Sequence, residues 1–229
     1  MIIRNDQLVL ANKIDFLIKF CLALFFGITG FTMELIEPTF RSKNLINAED
    51  CFILIIDVQS FFMKDMTQNQ RDIFVEKSTH LVKLASLLKL PIFITAENIK
   101  KNGTIPDKIA HSLPKTVQVF DKFIYSCWGQ ENIRNAINET KRKTAVVCGL
   151  ETDICVGQTS IGLLDNGFRV VVLTDITYSR NEIENEIGLK RMVYHGAILS
   201  LLKTWQEEIT AGIQTKINMM IKKEGLNNI

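Results

Sequence analysis

Four short, continuous apolar runs limit the folds that this chain can adopt. They are CFILIID (51–57), PIFITA (91–96), TAVVCGL (144–150) and RVVVLTDI (169–176). Runs of this length without polar alternation are typical of strands that are buried on both faces of a parallel sheet. A segment with apolar residues at helical spacing, VEKSTHLVKLASLLKL (75–90), lies between the first two runs.

Strands that alternate with helices predict an α/β fold: a three-layer, Rossmann-like open parallel sheet flanked by helices on both faces. The pattern also predicts a short strand at VQVF (117–120), a loop over residues 98–116, and a helix over residues 154–166 that ends at Gly167. A further helix, a short strand and a C-terminal helix over residues 204–225 complete the prediction.

Length and charge narrow the classes of function. The chain has 229 residues, 47% of them hydrophobic, which suits one domain with a sizeable core. Its 27 basic and 25 acidic residues give a net charge of +2 without a basic stripe, so nucleic acid is not an expected partner. Neither GxGxxG nor GxxxxGK(S/T) occurs, which argues against nucleotide binding. A small-molecule substrate is the expected partner.

Residues 1–47 are predicted to be an apolar N-terminal extension, and residues 48–229 the folded domain. Within the extension, residues 14–36 are long enough to span a membrane, which needs about 20 apolar residues. Three interpretations stay open: an anchor or targeting signal, an amphipathic packing helix, or a leader upstream of a true start at Met33. Membrane association is expected only through this extension, and the protein is otherwise expected to be cytoplasmic.

Cysteine usage also indicates a reducing compartment. The five cysteines (21, 51, 127, 148 and 155) include no CxxC pair and no Cys/His spacing typical of zinc. A disulfide-stapled secreted domain is therefore not expected. Cys51 and Cys148 lie in strand-like runs, where a cysteine usually packs as a small hydrophobe.

Polar residues follow the ends of the predicted strands. Asp57 ends the first run, Glu97 follows the second, Lys122 follows VQVF, and Cys155 follows TAVVCGL. Since the carboxyl ends of parallel strands meet at one edge, we expect these four side chains on one rim. Structural alternatives stay open: capping for Asp57, solvation for Lys122 and core packing for Cys155.

A chemical interpretation centres on Cys155, which is predicted in the first turn of a helix with Thr152 and Asp153 as candidate N-caps. The positive end of the helix dipole and a nearby Lys122 would favour the thiolate. Asp57 is placed to accept the thiol proton and return it to a leaving amine.

Five segments occur in the order ILIIDVQSFF, DKFIYSCW, GLETDICVGQTS, GFRVVVLTDITYSR and RMVYHGAILS. Together they resemble the isochorismatase-like cysteine hydrolases over about residues 48–215. Within that family, the AEN after the second strand and the GLETDICV loop look most like isochorismatase-domain-containing proteins of unassigned substrate.

The resemblance implies an Asp–Lys–Cys triad on Asp57, Lys122 and Cys155. Asp57 would be the base, Lys122 would hold the charge of the site, and Cys155 would attack a carbonyl to form a thioester that water hydrolyses. It also implies a cis peptide bond between Leu150 and Glu151. The backbone N–H groups of Glu151 and Cys155 would then stabilise an oxyanion.

Departures from the family limit the substrate. Nicotinamidases in the family bind a metal through histidines after the second strand, whereas TAENIKKNGT (95–104) has none. We therefore predict neither a metal nor another cofactor. Isochorismatase itself cleaves a vinyl ether without a cysteine nucleophile, so Cys155 indicates a small amide-like substrate. The leading hypothesis is a metal-independent cysteine hydrolase of a C–N bond.

Candidate pocket residues and competing functions complete the prediction. The pocket candidates are Gln59, Phe61, Glu97, Tyr125 and Trp128, with core packing open for Phe61 and solvation open for Glu97. A non-catalytic binding or scaffold protein stays open, as does a redox sensor that pairs Cys155 with Cys127. A homo-oligomer is expected, with an apolar segment at residues 219–220 contributing, and the histidines (80, 111 and 195) are expected at surface or capping positions.

Overall fold

The computed structural model of the protein describes residues 42–210 and 222–226. The apolar segment at residues 14–36 and the candidate interface residues Met219 and Met220 lie outside the described residues. Within the described ranges, no helix is both long enough and apolar enough to cross a membrane.

The described residues form one sheet of six parallel strands in the spatial order β3-β2-β1-β4-β5-β6. The strands are β1 (Cys51–Ile56), β2 (Ile92–Glu97), β3 (Val119–Lys122), β4 (Thr144–Leu150), β5 (Arg169–Tyr178) and β6 (Ile198–Ser200). The chain winds outward from β1 to β3 on one side and from β4 to β6 on the other. A crevice therefore forms between the carboxyl ends of β1 and β4, where the winding reverses.

Helices cover both faces of this sheet. They are α1 (Gln68–Leu87), α2 (Ile99–Asn102), α3 (Asp107–Ala110), α4 (Glu131–Glu139), α5 (Gly157–Asp165), α6 (Glu182–Tyr194) and α7 (Leu202–Thr210). Alternate residues of β1 face opposite layers: Ile53 and Ile55 pack with α1 and α7, whereas Phe52 and Leu54 pack with α4, α5 and α6. The predicted three-layer α/β fold is confirmed.

Two predicted boundaries on the β2–β3 side were wrong. Residues 98–116 contain the short helices α2 and α3 rather than an uninterrupted loop. β3 starts two residues later than VQVF and runs to Lys122, because it pairs with β2 in parallel as far as the register Glu97↔Lys122. Lys122 and Glu97 are therefore the last residues of neighbouring strands.

The segment after β4 also differs from its prediction. β4 has the predicted bounds, and Gly167 follows α5 with a positive φ of 77°, as predicted. However, α5 begins at Gly157, because the preceding residues Thr152–Val156 form a wider helical turn. The Val156 N–H closes that turn by donating to the Glu151 carbonyl at 3.1 Å, an i to i+5 bond.

Candidate active site

Asp57 follows β1 directly, at the crevice between β1 and β4. Its φ of +50° is uncommon for a residue other than glycine. Its N–H donates to the Thr95 carbonyl (3.1 Å), and its Oδ1 accepts a hydrogen bond from the Thr95 hydroxyl (2.8 Å). The backbones of β1 and β4 are so close that a Cβ on Gly149 would lie 2.0 Å from the Ile56 carbonyl oxygen. These contacts fix the position of the Asp57 carboxylate.

Lys122 provides a buried cation beside this carboxylate. Its Nζ lies 2.8 Å from Asp57 Oδ2, and both side chains are almost completely buried. The same ammonium donates hydrogen bonds to the carbonyls of Ile124 (2.8 Å) and Tyr125 (3.1 Å). Burial opposes the charge, but the Asp57 carboxylate raises the pKa of Lys122 above its usual value. Lys122 therefore stays protonated.

Cys155 brings a thiol to the same ammonium. Its Sγ lies 3.6 Å from Lys122 Nζ, and the residue is only 6% exposed. Cys155 belongs to the wide turn Thr152–Val156, so the prediction that it lies in the first turn of an α-helix was wrong. The structure thus brings Asp57, Lys122 and Cys155 together, although they come from three different strand ends.

The side chains of Thr152 and Asp153 do not cap a helix, contrary to the prediction, because each has a partner outside the turn. Thr152 Oγ1 donates to Asn185 Oδ1 (2.5 Å), and Asp153 Oδ1 accepts from Ser179 Oγ (2.5 Å). α6 also approaches the turn closely: a Cβ on Gly188 would lie 2.8 Å from the Asp153 Cα. Ser179, directly after β5, and helix α6 therefore hold the turn Thr152–Val156, called the cysteine turn below, in place.

The surroundings of Cys155 favour its neutral form. Burial raises the pKa of the Cys155 thiol, the negative charge of Asp57 raises it further, and the positive charge of Lys122 lowers it by less. The lowering by Lys122 has the predicted sign but is smaller than the effects of burial and of Asp57. Asp57 also interacts with the Cys155 side chain, so its carboxylate is the candidate base for this thiol.

Comparison with known protein families matches residues 51–204, more than half of the chain, to the isochorismatase domain. The chain belongs to the isochorismatase family. Isochorismatase family protein 2A of Dictyostelium discoideum is 32% identical over 166 residues, which are 69% of this chain and 82% of that protein. Isochorismatase domain-containing protein 2 of Xenopus laevis is 28% identical over 149 residues, 65% of this chain and 70% of its own length.

A solved structure of similar fold is the YcaC gene product of Escherichia coli, described as an octameric hydrolase of unknown specificity. Its TM-score is 0.73 at 21% identity, over 82% of this chain and 93% of that chain. The family resemblance predicted from the motifs is confirmed, and the isochorismatase family is a hydrolase family.

In this isochorismatase domain, the peptide bond between Leu150 and Glu151 is cis. Among the described residues, no hydrogen bond from the Glu151 N–H is present, although its carbonyl accepts two. The Glu151 side chain has a charged partner, with Oε1 3.3 Å from Nε of Arg180. Burial raises the pKa of Glu151, and the charge of Arg180 opposes that rise. Glu151 therefore combines a carboxylate paired with Arg180 and a backbone donor without a partner among the described residues.

The pocket candidates Gln59 and Glu97 both contact the connection after β2. Gln59 is fully buried. Its Nε2 donates to the carbonyls of Glu97 (3.0 Å) and Gly103 (2.5 Å), while its Oε1 accepts from the Glu97 N–H (2.6 Å). The Glu97 carboxylate accepts a hydrogen bond from Asn102. Gln59 therefore holds this connection in place and has no amide proton left for a ligand.

The three aromatic pocket candidates have different environments. Phe61 is 45% exposed, so the alternative of core packing was wrong, and Tyr125 is 59% exposed. Trp128 instead packs edge-on against Phe168, with 5.1 Å between ring centroids, in the layer that contains α4 and α5. Phe61 and Tyr125 follow Asp57 and Lys122 along the chain, so both belong to loops at the carboxyl end of the sheet.

Sequence reasoning missed the residues that hold Asp57 and the turn around Cys155 in place. Thr95, which bonds the Asp57 carboxylate, is the one polar residue of the run PIFITA, and that was its available signal. Asn185 and Ser179 carry no comparable signal, because their partners lie about 30 residues away in the chain.

Of the remaining cysteines, Cys127 lies close to the site, with its Sγ 3.9 Å from the Thr95 hydroxyl oxygen. Cys51 and Cys148 are fully buried, as predicted. His111 and His195 directly follow α3 and α6, as predicted. His80 is buried with its Nε2 2.9 Å from Gln206 Oε1, so its predicted surface or capping position was wrong. Within residues 42–210 and 222–226, no cluster of three or more His, Cys, Asp or Glu could hold a metal ion.

Proposed function

We propose that this isochorismatase-family chain is a metal-independent cysteine hydrolase that cleaves the C–N bond of a small amide through a thioester. The observation that carries the proposal is one buried ammonium, Lys122 Nζ, in contact with both Asp57 Oδ2 (2.8 Å) and Cys155 Sγ (3.6 Å). The metal-independent part rests on the sequence TAENIKKNGT, which offers no imidazole after β2. A cytoplasmic compartment suits the proposal, because the thiol must stay reduced.

In the acylation step, the Asp57 carboxylate accepts the Cys155 proton while sulfur attacks the carbonyl carbon. Negative charge then moves from the carboxylate through sulfur to the carbonyl oxygen. Lys122 faces both the carboxylate and the sulfur, so its charge offsets this transfer in a site with little water. Collapse of the tetrahedral intermediate breaks the C–N bond, and the leaving nitrogen takes the proton back from Asp57.

In the deacylation step, water attacks the thioester and Asp57 accepts a proton from that water. Collapse releases the carboxylic acid and the Cys155 sulfur, which recovers the proton from Asp57. Both steps place negative charge on the former carbonyl oxygen. The donors that we assign to this oxyanion are the N–H of Glu151, which has no partner among the described residues and directly precedes the turn, and the N–H of Cys155 within it.

Acid-quenched intact-mass spectrometry tests the proposal with a panel of small amides. We expect the wild type to gain the mass of the acyl group and to release the amine, whereas Cys155→Ala does neither. Cys148→Ala is the matched control, because Cys148 is also buried but faces the apolar core. Equal amine release by the wild type and by Cys155→Ala would contradict the nucleophile assignment.

Two other outcomes would replace this function. Saturable binding of an amide with no acylation across the panel would favour a non-catalytic binding protein. Formation of a Cys127–Cys155 disulfide under mild peroxide would favour a redox sensor. Burial raises the pKa of Cys127 to about 11, which disfavours the thiolate form of that partner.

A further inference from the structure

The outer side of α6 carries an apolar stripe that is open to solvent. Ile183, Ile187 and Tyr194 are 74%, 57% and 87% exposed. Together with Lys190 they occupy positions i, i+4, i+7 and i+11, the spacing that lines up side chains along one side of a helix for packing against another helix. Isolated apolar residues on a surface need no explanation, but a stripe at this spacing indicates an interface.

The neighbouring edge of the sheet extends this surface. β6 is the last strand in the order of the described sheet, and its only partner there is β5. Leu199 is 41% exposed and pairs in register with Val172, whose side chain faces the layer that contains α6. An apolar edge strand next to an apolar helix stripe is the kind of edge that soluble proteins usually cover.

The charges along α6 identify the partner as a second copy of this chain. The first half of the helix carries Glu182, Glu184 and Glu186, and the second half carries Lys190 and Arg191. A two-fold axis perpendicular to the helix makes two such helices antiparallel, and the acidic half of each then lies against the basic half of the other. We propose that α6 and the edge of β6 form an isologous dimer interface centred on Ile187.

The inner side of the same helix contacts the cysteine turn. Asn185 accepts the hydrogen bond from Thr152, and Gly188 lies against the backbone of Asp153. A partner on the outer side would therefore press α6 onto the turn that carries Cys155. The interface itself does not depend on the proposed chemistry, and its test measures mass rather than turnover.

Sedimentation velocity of the full chain over a range of concentrations tests the interface. We expect the wild type to sediment as a dimer or as an even multiple of one. Ile187→Asp, which puts a charge at the centre of the apolar stripe, should raise the dissociation constant by roughly 30-fold or more. Ile73→Asp is the matched control, because Ile73 on α1 is similarly exposed at 47% and should leave the mass unchanged.

Charge reversal provides a second variant that does not alter apolar packing. Glu186→Lys alone should weaken the dimer, because the new positive charge lies against Lys190 of the opposing helix. Adding Lys190→Glu should restore the dimer. In the wild type, Glu186 Oε1 lies 2.5 Å from Nζ of Lys190 in the same helix. The double variant keeps an ion pair between these two positions with the charges exchanged. A monomeric wild type at all concentrations, or an Ile187→Asp assembly with the wild-type mass, would overturn the proposal.

Discussion

Cys148 and Cys155 lie seven residues apart, and their comparison separates what burial does to a thiol from what charged neighbours do. Cys148 is fully buried in β4 and belongs to the apolar core beneath the sheet. Cys155 is nearly as buried, but its Sγ lies 3.6 Å from the Lys122 ammonium. Burial is the largest cause of a raised pKa at both thiols.

The difference lies in what can happen to the proton. At Cys148 no cation among the described residues lowers the pKa of the thiol, and the negative charge of Asp175 raises that pKa further. At Cys155 the Asp57 carboxylate is present to receive the proton and Lys122 is present to offset the resulting charge. A buried cysteine therefore becomes a candidate nucleophile through an adjacent ion pair, and not through exposure or a helix terminus.

The largest expected effect comes from replacing each cysteine by serine. Cys155→Ser should lower turnover by a factor on the order of 10⁴ or more, because the hydroxyl is a much weaker nucleophile at this site. Its thermal stability should stay close to that of the wild type, because polar groups already surround the sulfur. Amine release and thermal unfolding measure the two effects.

Cys148→Ser should show the opposite behaviour. A hydroxyl placed in the apolar core should cost about 1–3 kcal/mol of unfolding free energy, while turnover per folded molecule stays unchanged. Loss of turnover in this variant at full stability would contradict the division between a packing cysteine and a reacting one.

Replacing Asp57, the proposed base, should have the next largest effect. Asp57→Asn leaves the buried Lys122 without its carboxylate, so we expect a loss of roughly 3–5 kcal/mol in stability and about 10³-fold in turnover. The matched control is Asp175→Asn. In the wild type, Asp175 Oδ2 lies 2.7 Å from Nζ of Lys77, whose side chain is 29% exposed. Because that pair is partly solvated, the control should cost about 1 kcal/mol and leave turnover unchanged.

If Asp57→Asn kept the turnover of the wild type, Asp57 could not be the catalytic base. Chemical denaturation supplies the stabilities, and the acyl-enzyme yield shows whether the acylation step is the one affected.

Local sequence patterns were sufficient to place the three central residues. The strands beginning at Cys51 and Thr144 are continuous apolar runs, and parallel strands bring their carboxyl ends to one edge. Asp57, Lys122 and Cys155 each lie at or just after such an end, so the alternation of strand and helix alone predicts that they share a rim.

The details that decide their chemistry depend on contacts between distant segments. The turn around Cys155 looked like an ordinary helix start, but it is held by Asn185 and Ser179 from elements that follow it in the chain. Gln59 looked like a pocket residue, yet its amide bonds the backbone after β2. Local propensity carries no information about such pairings, which only the packed sheet creates.

A smaller effect should come from moving the cysteine turn without touching Cys155. Gly188→Ala adds a Cβ that would lie 2.8 Å from backbone atoms of Asp153, so the turn or α6 must shift. We expect turnover to fall about tenfold, because small displacements of a nucleophile are costly. The control Gly162→Ala, in α5, meets only ordinary contacts from 3.5 Å and should keep full turnover. Equal rates in both variants would show that α6 does not position the turn.

The last expected effect is a pH dependence of stability that the two cysteines share. An unfolded thiol ionises near pH 8.5, whereas burial raises the pKa of Cys51 to about 12 and also raises those of Cys148 and Cys155. Between about pH 8.5 and 11 the folded chain therefore keeps protons that the unfolded chain has lost. Stability is fully present below this window and falls as pH rises, by about 1.4 kcal/mol per pH unit for each such thiol.

Cys148→Ala and Cys155→Ala should each make this alkaline slope shallower by the contribution of one thiol. Denaturant unfolding at pH 8, 9 and 10, compared with the wild type, isolates that difference from the titration of other groups. A slope unchanged by Cys155→Ala alone would mean that Lys122 already holds this sulfur as a thiolate in the folded state. The two cysteines would then differ in their resting charge as well as in their reactivity, and Asp57 would not be needed to remove a proton.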